Sequence, residues 1–430
     1  MYDAVDSIVT LLKKIIPEPV VELLRRPYHA TLALFMAASY GFPARRLVVI
    51  GITGTKGKST VAEMLFTCLR EAGHKTALIS TIRFAINKES EPNLFKMTLA
   101  GRGFAQKFMR RALDAGCTHL VIEITSEAVL DYRHWFLSLN VLVFTNLEQE
   151  HLERHGGMER YFRAKYEIGR ALVRSNKRPR AIIAKGDDDY GRRFLALPVE
   201  RRLPFSFADA HAAIIGSGGI SFDYGGQHFA LPQPGRFSVV NALAAIKVAE
   251  FLGIPLETCA RALGTLVRIA GRAERIEAGQ PFEVIVDYAH TPGSLTALYE
   301  AFAPPLPAEV ARRRLICVLG NTGGGRDRWK RPEMARIAEK YCDEIILTNE
   351  DPYDEDPRAI VEEMAGGMRE KKPEIIMGRR EAIRQALHAA RPGDAVLITG
   401  KGTDPFIMGA KGAKEPWSDS RVAREELATM

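Results

Sequence analysis

A glycine-rich turn between an apolar strand and an amphipathic helix constrains this chain more than any other stretch. In LVVIGITGTKGKSTVAEMLFTCLREAG, residues 47–73, Leu47 to Ile52 form a β-branched apolar run that reads as a buried strand. Val61, Leu65, Cys68, Leu69 and Ala72 then recur at helical spacing before Gly73 stops the helix. In a strand, turn and helix of this kind, the backbone N–H groups and the helix N-terminus face phosphates. Lys58 reaches the outer phosphates, and the Ser59 hydroxyl can ligate Mg²⁺. An ATP or GTP site on a mainly parallel α/β sheet is the reading that follows. The spacing is unusual, because five residues separate Gly51 from Gly57-Lys58-Ser59 and Gly54 interrupts them.

Further short apolar runs continue the alternation: TALIS (76–80), HLVIEIT (119–125), VLVFT (141–145) and AIIA (181–184). A second series follows at EVIVD (283–287), RLICVL (314–319), EIILT (344–348) and AVLIT (395–399). With 430 residues, the pattern predicts two α/β domains joined near RIAGRAERIEAGQP, preceded by a region with one or two helices and no convincing strand.

The net charge of +8 arises from basic residues interleaved with acids and without an aromatic-basic repeat, so an anionic small substrate accounts for it and nucleic acid is not expected. The first 20 residues lack a basic start followed by an uninterrupted apolar stretch, so no cleavable signal is read. The longest apolar segment, ATLALFMAASYGF (30–42), is shorter than the about 20 residues that span a bilayer. Arg25, Arg26, Arg45 and Arg46 flank it and would suit an anionic membrane surface, but packing on the next domain is the preferred reading. Five scattered cysteines with no C-x-x-C pair read as buried thiols of a reducing cytoplasm.

Polar residues fall where these strands end, which is where open α/β sheets bind ligands. Glu123 stands inside an apolar strand, where a carboxylate needs a partner such as Mg²⁺ at the neighbouring loop; the alternative is an edge strand that turns Glu123 to water. FTNLEQEHLERHGGMERYFRAK supplies Asn146, Glu150, His151 and Lys165, a set whose oxygen and imidazole donors suit a divalent metal. Taken singly, His151 reads as a surface or capping histidine and Lys165 as a solvated lysine. Asp287 ends a strand in IVDYAHTP, and LGNTGGGRDRWKRP is a glycine-rich turn that does not make G-x-G-x-x-G, which leaves an oxidoreductase only a remote option.

From about residue 45 onward the chain resembles the Mur ligase family, in its branch that adds the third residue of the peptidoglycan stem peptide. The resemblance rests on the T-G-T-x-G-K-[ST] loop, IEITSE, FTNLEQEHLERHGGMERYFRAK, GRFSVVNALAA, AGRAERI, VDYAHTPGSL, GGGRDRWKRP and WSDSRVAREEL. It implies an α/β fold with a short helical segment over residues 1–46, a central P-loop ATPase domain over 47–272 and a C-terminal Rossmann-like domain over 273–430. It implies an ATP-dependent, ADP-forming amide ligase, expected as a cytoplasmic monomer, with ATP and two Mg²⁺ ions. The acceptor would be a UDP-muramoyl peptide and the donor an amino acid.

Carried over by position, Gly54, Thr55, Gly57, Lys58, Ser59, Thr60 and Asn146 would cradle the nucleotide. Glu123 and Ser59 would ligate Mg²⁺, and His151 would hold a second ion. Lys165 matches a lysine that is carbamylated in many members. Asn241 would contact adenine, while Arg272 and Asp287 would reach the nucleotide from the hinge and C-terminal domain. Thr98, Ser126 and Arg133 fall near the acceptor, and Arg326, Asp351, Tyr353 and Asp404 near the incoming amino acid.

Three features depart from the family pattern. The first 46 residues are too few for the usual uridine-gripping domain. The diaminopimelate motif D-N-P-R becomes Glu350-Asp351-Pro352-Tyr353, and a phenol cannot make the arginine's bidentate clamp. G-K-G-H-E becomes Gly400-Lys401-Gly402-Thr403-Asp404, and Glu127 replaces a usual histidine. Asp351, Asp354, Glu355 and Asp356 make an acidic rim that would favour a basic or small neutral amino acid. A folylpolyglutamate-synthase-like or other amino-acid ligase, and a non-catalytic nucleotide-binding subunit of a cell-wall complex, are the rival readings.

Overall fold

The structure is a computed structural model that describes residues 18–95, 97–101, 103–150, 152–303 and 313–430. The apolar runs of the first half assemble an eight-stranded sheet in the order β4-β3-β2-β5-β1-β6-β7-β8. Its strands are β1 (Val48–Thr53), β2 (Thr76–Ile79), β3 (Arg83–Ile86), β4 (Glu89–Pro92), β5 (His119–Glu123), β6 (Val141–Phe144), β7 (Ala181–Lys185) and β8 (Arg201–Phe205). Six run parallel, and β3 and β4 fold back antiparallel at one edge.

Helices cover both faces, which is why the central strands are apolar at nearly every position. Lys58–Glu71, Arg236–Phe251 and Leu256–Gly264 bury one face through Leu65, Leu243 and Leu263. Phe104–Asp114, Met158–Val173 and Asp189–Leu195 bury the other through Phe108, Phe162 and Phe194. A small antiparallel sheet, β9 (His211–Ile215), β10 (Ile220–Tyr224) and β11 (Gln227–Leu231), follows.

The second half builds a six-stranded sheet in the order β12-β13-β17-β14-β15-β16. It comprises β12 (Glu274–Arg275), β13 (Glu283–Asp287), β14 (Leu315–Leu319), β15 (Glu344–Leu347), β16 (Glu374–Ile375) and β17 (Ala395–Thr399). All pairs are parallel except β12 with β13. The expected α/β class with mainly parallel sheets is what the chain adopts.

One expectation needs correction. Cys317 and Cys342 are joined in a disulfide, not held as thiols, because β14 and the end of the helix Lys330–Tyr341 bring their Cα atoms to 6.1 Å, a juxtaposition that no local spacing signals. Cys68, Cys117 and Cys259 are free and buried. The apolar segment 30–42 lies mostly in the helix Glu18–Ser39, whose later part rests on the following domain, as the preferred reading had it. Ala37 is buried, Met36 lies against Gly103, and His29 Nε2 is 3.8 Å from Asp131, while Tyr28, Leu34 and Phe35 are exposed. No helix among the described residues is long and apolar enough to cross a membrane.

A buried ion pair fastens the last helix. Asp419 at the start of Asp419–Leu427 accepts Arg379 Nε at 2.8 Å and Nη2 at 2.6 Å, and Trp417 Nε1 at 2.7 Å. Arg379 also donates to Thr399 O at 2.7 Å, which ties it to the end of β17. Removing one member of such a pair strands the other charge in the interior. Asp419→Ala is therefore expected to cost about 3–5 kcal/mol of stability, read from urea denaturation; a loss under about 1 kcal/mol would show that the pair does not hold this region.

Candidate active site

The phosphate loop runs from the end of β1 to Lys58, the first residue of its helix. The segment after β6 braces it from below. Asn146 O accepts Thr55 N at 2.9 Å, Asn146 Oδ1 accepts Lys56 N at 2.9 Å, and Thr145 Oγ1 donates to Lys56 O at 2.6 Å. The unusual glycines follow from this brace. A Cβ on Gly54, at φ +145°, would lie 1.9 Å from Thr145 Oγ1, and one on Gly57, at φ +81°, would lie 2.4 Å from Asn241 Oδ1. Gly54 lets the loop cross over Thr145, and Gly57 lets the helix start beside Asn241.

Charged groups converge beneath the loop. Glu123 is fully buried at the end of β5, a strand between β2 and β1 and not an edge. Its carboxylate accepts Ser59 Oγ at 3.1 Å, Thr81 N at 2.8 Å and Thr81 Oγ1 at 3.1 Å. Burial pushes this carboxyl up from the ordinary range, and Lys58 and the Thr81 N–H oppose the shift. Lys58 Nζ donates to Gly54 O at 3.0 Å and Thr55 O at 2.9 Å; burial lowers its pKa and the Glu123 charge opposes that. Lys165 Nζ donates to the same Gly54 carbonyl at 2.8 Å and lies 4.6 Å from the Tyr161 ring centroid. Its pKa falls well below the usual lysine value, first through burial and then through Lys58.

The second sheet supplies the facing wall. Arg272 Nη2 reaches Ser59 Oγ at 3.4 Å, and its guanidinium lies over Tyr288. Asp287, at the end of β13, accepts Ala273 N and Ala289 N, each at 2.6 Å, and so holds the crossing between the two sheets. Glu150 joins the walls directly: Lys56 Nζ is 3.3 Å from its carboxylate, and His290 Nε2 is 2.7 Å from its Oε1. Further out, Arg326 lies over the Tyr353 ring at 5.3 Å and donates to its hydroxyl at 3.3 Å.

A cavity of about 870 Å³ separates the walls. Thr55, Gly57, Lys58, Ser59, Thr60, Asn146, Lys165 and Asn241 line it on the loop side, and Arg272, Asp287, Arg326, Asp351, Tyr353 and Asp404 on the other. Thr98, Ser126 and Arg133 line a third stretch. Gly54 and Glu123 stand behind the loop. His151 lies outside the described residues.

Several side chains already have partners. Asp351 accepts Lys401 Nζ and Met408 N, each at 2.8 Å, and Asp404 is 3.4 Å from Lys401. Ser126 Oγ is 3.1 Å from His155 Nε2, Thr98 Oγ1 is 2.8 Å from Thr81 Oγ1, and Arg133 holds Leu99 O and Asp131. Lys56, Thr81, Tyr161, His290 and Glu350 also belong to the site, although sequence reasoning assigned them no role. His290 stands in the quoted DYAHTP motif, whereas Thr81 and Lys56 carry no pattern of their own.

Among the described residues no group of three or more His, Cys, Asp or Glu could cage a metal. One carboxylate and one hydroxyl, Glu123 and Ser59, are hard oxygen donors, a set that fits Mg²⁺, which keeps waters and takes further oxygens from nucleotide phosphates.

A braced phosphate loop facing the end of a second parallel sheet across a cleft defines a two-walled, nucleotide-dependent α/β enzyme. Residues 52–249 match the Mur ligase middle domain, and residues 271–402 match the Mur ligase glutamate ligase domain. The UDP-N-acetylmuramyl-tripeptide synthetase of Roseiflexus sp. (strain RS-1) is 38% identical over 437 residues, covering 95% of this chain and 84% of that protein. The UDP-N-acetylmuramoyl-L-alanyl-D-glutamate–2,6-diaminopimelate ligase of Thermosynechococcus vestitus is 36% identical over 409 residues, covering 91% and 79%. A folylpolyglutamate synthase of Mycobacterium tuberculosis, solved with ADP and AMPPCP, shares the fold at a TM-score of 0.71 with 18% identity, covering 87% of this chain and 93% of that one. The chain belongs to the Mur ligase family, and it is an ATP-dependent, ADP-forming acid–amino-acid ligase that uses Mg²⁺.

The tight fit of Gly54 gives a direct check on the loop. Gly54→Ala should displace the brace at Thr145 and weaken ATP binding at least about tenfold by calorimetric titration, with the circular-dichroism spectrum unchanged. Unaltered ATP affinity would remove the loop from the nucleotide site.

Proposed function

We propose that this ligase adds an amino acid to the terminal carboxylate of a UDP-muramoyl peptide during assembly of a peptidoglycan precursor. The observation that carries the reading is the match across 95% of the chain to a muramyl-tripeptide synthetase. The acceptor carboxylate oxygen attacks the γ-phosphorus, the bond to the β-phosphate oxygen breaks, and ADP leaves an acyl phosphate. The amine then attacks the carbonyl carbon and loses a proton, and the tetrahedral intermediate expels phosphate. Closure of the two walls keeps water from the acyl phosphate.

The residues divide this work by position. Lys58, whose Nζ donates to the loop carbonyls of Gly54 and Thr55, would meet the outer phosphates. Arg272 adds a second cation from the opposite wall beside Ser59. Mg²⁺ held by Ser59 and Glu123 would neutralise phosphate charge during the transfer. Thr98, Ser126 and Arg133 suit the acceptor end of the cavity, and Asn241 and Asp287 the nucleotide end.

Lys165 is proposed to carry a carbamate. Burial and Lys58 favour its neutral amine, the form whose nitrogen attacks CO₂ and releases a proton. The resulting anion would relieve the crowding of lysines beneath the loop and, with His151, offer oxygen and nitrogen donors to a second ion. Lys165→Ala should be nearly inactive and partly rescued by short carboxylates, and carbon-labelled bicarbonate should give a carbamate resonance only in the unsubstituted enzyme. Neither rescue nor resonance would overturn the assignment.

The added amino acid is proposed to carry a single carboxylate. Arg326 is a cation on this wall that would take it, and Tyr353, stacked on Arg326, offers no second clamp. The acidic rim expected from the sequence is largely spent. Asp351 pairs with Lys401, Asp354 accepts Lys411 N, Glu355 accepts Gly325 N and Arg331, and Asp356 caps its own helix. Glu350 is among the residues that line the cavity, its buried Oε2 has no hydrogen-bond partner among the described residues, and its carboxyl would suit a substrate ammonium.

Phosphate release from ATP, measured with a panel of UDP-muramoyl peptides, folates and amino acids, tests the reading; turnover only with a folate acceptor, or none at all, would overturn it. In competition, lysine or alanine should outrun diaminopimelate, and Tyr353→Arg should shift selectivity toward diaminopimelate by roughly tenfold or more, the weight of one charge-assisted clamp. A clear preference of the unsubstituted enzyme for diaminopimelate would refute the specificity claim.

A further inference from the structure

Eight of the thirteen large exposed apolar side chains among the described residues fall on three neighbouring segments. Tyr28, Leu34 and Phe35 come from the helix Glu18–Ser39, Phe95 and Met97 from the loop after β4, and Trp135 from the segment after Ser126–Leu130; Leu94 and Leu130 adjoin them. Phe35 is 65% exposed. These segments pack together. Met36 covers Gly103, His29 approaches Asp131, Arg133 reaches both Asp131 and the Met97 sulfur, and the Phe95 and Phe104 rings lie 5.4 Å apart.

The composition of this face is unusual for one meant for water. From Pro27 to Pro43 there is no Asp, Glu, Lys or Arg, although the outward side of a surface helix is normally charged. Basic pairs stand at each end, Arg25-Arg26 and Arg45-Arg46. Residues 18–46 hold these four arginines against Glu18 and Glu22, and residues 94–114 hold Lys96, Arg102, Lys107, Arg110 and Arg111 against Asp114. The two segments thus carry net charges of +2 and +4, together six of the chain's +8.

We propose that this face seats the enzyme on an anionic lipid surface. An uncharged, aromatic-bearing helix face with basic residues at its ends is the signature of a segment that lies in the headgroup region, where apolar burial and attraction to acidic lipids act together. The uncharged part of the helix, Pro27 to Ser39, is about 20 Å long at 1.5 Å per residue, too short an apolar stretch to span, so the helix would lie in the surface plane. Phe95, Met97 and Arg133 belong both to this neighbourhood and to the cavity lining, so docking would place the acceptor end of the cleft at the membrane. Acceptor would then be drawn from, and product returned to, the layer next to the bilayer.

The test is sedimentation of the full chain with vesicles of phosphatidylcholine alone or mixed with phosphatidylglycerol. Binding to the anionic vesicles should exceed binding to the neutral ones by roughly tenfold or more and fall as salt is raised. Phe35→Glu should abolish it while leaving ATP turnover with soluble substrates unchanged. Phe35→Trp keeps the apolar character and adds a reporter whose emission should shift to the blue on anionic vesicles only, so the question is decided even where the glutamate variant folds poorly. Equal, weak binding to both vesicle types with no emission shift would overturn the proposal. So would a dimer in light scattering that Phe35→Glu splits, because the face would then belong to a second copy of the chain.

Discussion

Glu123 is the constraint around which the central sheet is arranged. A carboxylate with no exposure, at the end of a strand flanked on both sides, is tolerated only if its charge is answered. Three donors from Ser59 and Thr81 answer it in part, and Lys58 does so at longer range. The loop between β1 and Lys58 must therefore pass close above the strand end, and only glycines at 54 and 57 allow that approach against Thr145 and Asn241. Fold, loop and charge are thus one requirement. The sheet places a carboxylate where, in the proposed reading, phosphate and Mg²⁺ would sit, and the glycines let the backbone reach it.

Two lysines share one acceptor in this arrangement. Lys58 and Lys165 both donate to Gly54 O, and like charges so close disfavour one another's protonation. Bound nucleotide phosphate would draw Lys58 away, and a carbamate would invert the sign of Lys165. Both changes turn an array of mutually repelling cations into one matched to anions and metal. The same logic joins the two halves of the molecule: Glu150 bridges Lys56 of the loop and His290 beyond the second sheet, so one carboxylate ties the two walls together.

The legible part of the sequence is the part governed by local pattern. All nine apolar runs singled out as strands are strands, because buried parallel strands must be apolar on both faces. The short or polar strands β3, β4, β8 to β12 and β16 escaped notice, since an exposed edge such as Glu89–Pro92 leaves no periodic trace. The phosphate loop was readable from its glycines and flanks. Thr81, Lys56 and Glu350 were not, because nothing local marks a loop residue whose importance lies in a neighbour far along the chain. The Cys317–Cys342 bond escaped for the same reason: strand and helix spacing, and not the interval between the two cysteines, bring the sulfurs together.

Charge in a loop is not charge at a site. The run Asp351, Asp354, Glu355, Asp356 reads as an acidic rim, yet the fold engages each of its carboxylates, with Lys401, Lys411 N, Arg331 and Arg358 N among the partners. What remains open to a substrate is decided by geometry. Tyr353 takes a left-handed backbone, φ +51°, anchored by its N–H on Met408 O and backed by Gly324, so its ring is fixed across Arg326. Glu350, the neighbour whose position reads as interchangeable with the others, keeps an oxygen without a partner because Thr322 satisfies only the opposite one. Burial pushes that carboxyl up, and an approaching ammonium would return it to the anion by pairing with it. In the proposed reading, the selectivity of the second wall rests on one phenol that withholds a clamp and one carboxyl with an unpartnered oxygen, not on the net charge of the loop that carries them.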